Sequence, residues 1–138
     1  MQKNPTVIEV VAAALINLQG QVLMQRRRAN RAHGGLWEFP GGKVEPRETD
    51  LEALQREIAE ELGIALDRDA IVYLAEAADA DGGIVIRLYS CRRWHGEAAA
   101  LDADALQWCD PGSLGLLAMP PLDVPLAAAV KEMLKGAK

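Results

Sequence analysis

Residues 41–64 read GGKVEPRETDLEALQREIAEELGI, and the fold is decided in this stretch. Thr49 followed by Glu52 is a capping box, in which the threonine hydroxyl takes the Glu52 N–H and the glutamate reaches back to the helix start. Leu51, Leu54, Ile58 and Leu62 recur at helical spacing, and Gly63 supplies a left-handed stop. The spacing predicts a helix that buries its leucine stripe against a sheet. Roughly opposite that stripe, Glu57, Glu60 and Glu61 stand at i, i+3 and i+4, so three carboxylates share one face. They sit in the second half of the helix, where the macrodipole disfavours negative charge. Arg56 can pair with one of them, whereas a hard divalent cation with oxygen ligands can neutralise all three. A solvated acidic face is the alternative and needs no ion. Just upstream, Gly41-Gly42 permits a tight turn whose carbonyls face the same ion, and Lys43 offers a cation for phosphate oxygens.

Working outward, residues 6–18 are β-branched and aliphatic, Gln19-Gly20 makes a turn, and residues 21–28 resume, which predicts a two-stranded hairpin. A polar loop over 29–35 leads to a short strand, 36–39, stopped by Pro40-Gly41-Gly42. Residues 71–75, 84–94 and 106–109 read as further strands. A second helix closes the chain, with Asp123 as cap, Pro125 in its first turn, and Leu126, Val130, Met133 and Leu134 on its buried side.

With 138 residues, half of them apolar and a quarter charged, the chain is expected to form one domain over 1–138. No apolar run approaches a membrane span and no leader pattern opens the sequence, so the expected location is cytoplasmic, without a membrane partner. Cys91 and Cys109 lack metal-ligand spacing and are expected to be free thiols. A formal charge of −5 argues against a nucleic-acid polymer as partner. Arg26, Arg27, Arg28 and Arg31 are either a local anion site or a solvated loop edge.

Gly42, five residues, Glu48, seven residues, then Arg56-Glu57-Ile58-Ala59-Glu60-Glu61-Leu62-Gly63-Ile64 resembles the complete Nudix box, here residues 42–64. Seven fixed identities arise by chance about once in 10⁸ start positions. Residues 37–45, WEFPGGKVE, resemble the MutT branch of that family, and residues 106–109 and 119–126 also resemble its CTP pyrophosphohydrolases. The resemblance implies an α/β fold, an α/β/α sandwich around a mixed sheet with the box as loop–helix–loop. It implies Mg²⁺, with Mn²⁺ as substitute, on the Gly41 carbonyl and the carboxylates of Glu57, Glu60 and Glu61. A fourth carboxylate falls on Asp102, with Asp104 as competitor and a solvated acidic loop as the alternative. Glu57 takes the role of general base, with Glu60 and Glu61 left open. Arg56 holds the carboxylates, Glu48 supports from behind, and Arg27 and Lys43 bind the triphosphate.

The implied reaction is hydrolysis of a small-molecule nucleoside triphosphate to the monophosphate and pyrophosphate by a monomer or weak homodimer. Clearance of oxidised nucleotides such as 8-oxo-dGTP, a nucleotide-pool sanitation and DNA-repair role, is the first expectation. CTP or a damaged pyrimidine nucleotide is the alternative. Asp123 stands where MutT has asparagine, and an ionised aspartate only accepts hydrogen bonds, which favours a base offering N–H groups; a plain helix cap is the alternative. Gly82-Gly83 lies where MutT has an arginine, which weakens the transfer of 8-oxo-dGTP specificity. Phe39 is either a stacking wall for the base or core. Rival readings are a hydrolase of ADP-ribose or dinucleoside polyphosphates, and a non-catalytic nucleotide sensor, which would typically have lost one of the three helix glutamates.

Overall fold

Layering follows from one strand, Ile8–Leu15 (β1), which is buried on both faces from Val11 onward. Val11, Ala13 and Leu15 meet one helix, while Ala12, Ala14 and the following Ile16 meet the other, so the apolar run has no polar alternation. The computed structural model describes residues 7–136; Thr6, expected to begin the first strand, and the ends of the expected 1–138 domain lie outside them. After β1 come Val22–Arg26 (β2), Trp37–Glu38 (β3), Gly41–Lys43 (β4), Asp50–Leu62 (α1), Ala65–Leu66 (β5), Ile71–Ala78 (β6), Ile84–Cys91 (β7), Trp94–His95 (β8), Ala105–Cys109 (β9) and Asp123–Lys135 (α2). A mixed sheet runs β4-β1-β7-β6, with β1 parallel to β7 and its other pairs antiparallel; β3-β2-β9 and β5-β8 form smaller antiparallel sheets. With α1 and α2 against opposite faces, the architecture is the expected α/β/α sandwich.

Helix α1 has both arms of the Thr49–Glu52 capping box, and Gly63 ends it at φ 73°. Leu54, Ile58 and Leu62 are fully buried, each contributing roughly 2 kcal/mol by removal from water. The helix's last carbonyls are taken by the loop before β9: Ala99 N–H donates to Leu62 O at 3.0 Å and Leu101 N–H to Glu61 O at 3.1 Å. That anchorage carries residues 102–104 to the end of α1.

Several local expectations change. β1 and β2 share only the Ile16–Val22 bridge, because β1 pairs with β7 and β4 instead of closing a hairpin. Gly41-Gly42 is strand rather than turn; a Cβ on Gly41 would overlap the Val11 carbonyl and one on Gly42 the Glu57 carboxyl, so both glycines serve close approach. The 84–94 strand ends at Cys91 and resumes as β8. Asp123 is the first residue of α2 and makes no cap; its carboxylate is turned inward to Phe39. Both cysteines are buried and free. Among the described residues no helix is long and apolar enough to cross a membrane.

Candidate active site

Arg56, on the exposed side of α1, gathers the acidic residues of the preceding loop and its own helix. Its Nε and Nη2 hold Glu48 in a two-pronged pair at 2.6 and 2.9 Å, and Nη2 also donates to the Lys43 carbonyl at 3.1 Å. Nη1 reaches Glu57 at 3.0 Å and Glu60 at 3.5 Å. The guanidinium and the Glu45 N–H hold the Glu48 carboxyl down at about 2, and the Glu48 pair raises Arg56 above its usual value. Glu48 thus braces Arg56, and Arg56 aims Glu57.

Glu57 and Glu61 turn inward beneath β4. The bare Cα of Gly42 leaves the space that the Glu57 carboxyl fills, and Gly41 N–H points at Glu61 Oε1 from 3.4 Å. Burial pushes the Glu61 carboxyl up to about 8; Gln25 opposes this, and contact with Glu57 and the charge of Glu38 push further. Glu60 is by contrast 61% exposed. Gln25 and Glu38, neither singled out by the sequence, complete this layer. They face each other across β2 and β3, with Gln25 Nε2 donating to Glu61 Oε1 at 2.7 Å and to Glu38 Oε2 at 3.3 Å. Glu38 Oε1 in turn pairs with Arg27 Nη1 at 2.9 Å. A glutamine following Val22-Leu23-Met24, on the face that Leu23 turns to α1, is the one signal that would have found this pair.

Gly41 and Glu61 line a cleft with Arg27, Arg28, Arg31 and Asp102. Its volume is about 80 Å³, whereas sites that enclose a drug-sized ligand run to about 300–1,000 Å³. As it stands, the cleft is too small to enclose a whole drug-sized molecule between its flanking loops. Those loops are tied by Asp102, which pairs with Arg31 at 3.2 Å and Arg28 at 3.6 Å and is not turned to the helix glutamates. Asp104 instead accepts the Ala29 N–H at 3.3 Å. Lys43 is exposed, and among the described residues its side chain has no acidic partner.

Phe39 is 3% exposed and packed into the core beside α2, so its ring offers no stacking wall. Its N–H donates to Asp123 Oδ2 at 3.1 Å. Burial pushes the Asp123 carboxyl up to about 7, offset in part by that N–H. The charge of Glu38 raises it further and that of Arg27 lowers it.

The donor set fits a hard cation: oxygen atoms only, with Glu57 and Glu61 crowded together and one of them buried. Among the described residues no three acidic or histidine side chains converge on one point as they stand. Glu60, exposed and weakly held, and Asp102, held by two arginines, are the carboxylates free to swing in.

Known proteins resemble this chain along most of its length. The NUDIX domain model matches residues 6–132. The CTP pyrophosphohydrolase of Escherichia coli is 41% identical over 126 residues, covering 88% of this chain and 90% of that protein. The 8-oxo-dGTP diphosphatase of the same organism is 27% identical over 126 residues, covering 91% and 98%. Among solved structures, that of the Escherichia coli ORF135 protein superposes with a TM-score of 0.82 at 37% identity, covering 96% of this chain and 94% of that one.

Proposed function

This chain belongs to the Nudix family of hydrolases, and from that premise we propose that it cleaves a nucleoside triphosphate to the monophosphate and pyrophosphate with Mg²⁺, Mn²⁺ substituting. The observation that carries the reading is the pair Glu57 and Glu61, two carboxyls in contact under a glycine strand, beside a cleft whose cations are guanidinium groups. Glu57, Glu60, Glu61 and the Gly41 carbonyl would hold the ion, with Asp102 completing the set once Arg28 and Arg31 let it go. Bound Mg²⁺ supplies neutralisation of phosphate charge and acidification of a water.

The chain's own residues do the rest. Glu57, fixed by Arg56 at its Oε2, takes the proton of the attacking water. Arg27 and Lys43 bind phosphate oxygens, and Arg28 and Arg31 exchange Asp102 for the incoming polyphosphate, since such half-exposed ion pairs are worth only about 0–1 kcal/mol. Above about pH 7, where its carboxyl is ionised, Asp123 only accepts hydrogen bonds and so favours a base that offers an amino group. Cytosine does so, as CTP does for the relative at 41% identity. The second reading is 8-oxo-dGTP, favoured by the same acceptor and by the diphosphatase relative.

The test is kcat/KM for pyrophosphate release from CTP, dCTP, 5-hydroxy-dCTP, 8-oxo-dGTP, dGTP and ADP-ribose. A cytosine nucleotide should lead. A lead by 8-oxo-dGTP selects the second reading, and no release from any of them returns the chain to the nucleotide sensors.

A further inference from the structure

One buried side chain beside the carboxyl groups has been given no role in the proposed reaction. Gln25 is 3% exposed on β2, on the same face as the fully buried Leu23. Both hydrogens of its amide point at carboxylates, Glu61 at 2.7 Å and Glu38 at 3.3 Å, while its carbonyl oxygen is buried with no donor among the described residues. In this orientation one amide nitrogen serves both carboxyl groups, whereas a flip would set its oxygen against Glu38. The unpaired carbonyl oxygen is a cost that folding bears for this arrangement. Methionine would fill the same unbranched volume without an unpaired carbonyl of its own, but would take the amide donor away from Glu61 and Glu38. Glutamate would add a third negative charge, and asparagine is one methylene too short to reach both partners.

The groups that Gln25 joins are those of the two halves of the site. Glu61 belongs with the helix carboxylates, and Glu38 holds Arg27 at 2.9 Å. The run Glu61, Gln25, Glu38, Arg27 is therefore continuous from the cation-binding end to the phosphate-binding end. We propose that Gln25 is a positioning residue that fixes the Glu61 carboxylate for the divalent ion and, through Glu38, fixes Arg27 for the polyphosphate. This rests on the reading of Glu61 as a ligand. Gln25 lies in the wall of the cleft beside Glu38 and Glu61, and its part is to determine where those two carboxyl groups stand.

The experiment is Mn²⁺ binding to the nucleotide-free protein, by titration calorimetry, for the wild type, Gln25→Met and Met24→Leu. Met24 is the buried neighbour on the opposite face of β2, and its variant reports the effect of repacking alone. Gln25→Met should bind Mn²⁺ about 10–100-fold more weakly, with a cooperative thermal transition retained, and Met24→Leu should bind as the wild type does. In turnover, Gln25→Met should also raise KM, because Arg27 loses its brace. Unchanged Mn²⁺ affinity in Gln25→Met, or an equal loss in Met24→Leu, overturns the proposal. Should Gln25→Met not fold, the wild type decides: the Gln25 side-chain amide resonances should shift on Mg²⁺ addition, and amide signals that stay fixed while the protein binds the ion overturn it. Wild-type protein that takes up no Mn²⁺ refutes the cation reading of Glu61 itself, and this inference with it.

Discussion

Replacing Asp123 by asparagine keeps the shape and the acceptor for the Phe39 N–H while removing a carboxyl that the fold holds almost entirely out of water. Burial moves this group from 3.8 to about 7. The folded chain thus keeps the proton up to neutral pH, whereas the unfolded chain releases it near 3.8. The stability this confers is complete below 3.8, declines as pH rises, and is gone above about 7. Three units at 1.36 kcal/mol each make this about 4 kcal/mol. Asparagine escapes that loss but brings a second buried N–H, at about 1–2 kcal/mol. The variant should therefore be more stable than the wild type by about 2–3 kcal/mol near pH 8, roughly 10 °C in Tm for a chain of this size. The advantage should shrink or reverse below pH 4. Urea titrations of both proteins at the two pH values, with EDTA present, read the difference directly. A variant no more stable than the wild type at pH 8 would refute the buried, uncompensated carboxyl.

Gly42→Ala and Gly41→Ala should separate activity from folding. The first places a methyl on the Glu57 carboxyl and should lower kcat about 100-fold or more while the protein still folds; the second strikes the Val11 backbone and should show in thermal melts as lost stability. Joint replacement of Arg28 and Arg31 by alanine should raise KM roughly tenfold with little change in Tm, because both are half-exposed; a fall in kcat at constant KM would contradict their role as phosphate ligands.

What was legible in the sequence is what local rules govern. Thr49, Glu52, the leucine stripe and Gly63 define α1 within fifteen residues, and the same helix presents Arg56, Glu57 and Glu61. The failures share a physical cause, since each depends on a strand or helix distant in the sequence. Gly41-Gly42 looked like a turn because nothing nearby announces that Val11 lies against it. Asp123 looked like a cap because its partner, Phe39, is 84 residues away. Gln25 drew no notice in a strand whose partners, Glu38 and Glu61, come from β3 and α1. The arginine partners of Asp102 were likewise illegible, since Arg28 and Arg31 come from the loop after β2, about seventy residues earlier.

The most direct test of the reaction is ³¹P NMR of CTP mixed with the protein and Mg²⁺, for the wild type and for Glu57→Gln. CMP and pyrophosphate resonances should grow together in equal amounts with the wild type and be nearly absent with Glu57→Gln, whose circular dichroism should match the wild type. Release of orthophosphate with CDP, or wild-type turnover by Glu57→Gln, would contradict the assignment of bond and residue alike.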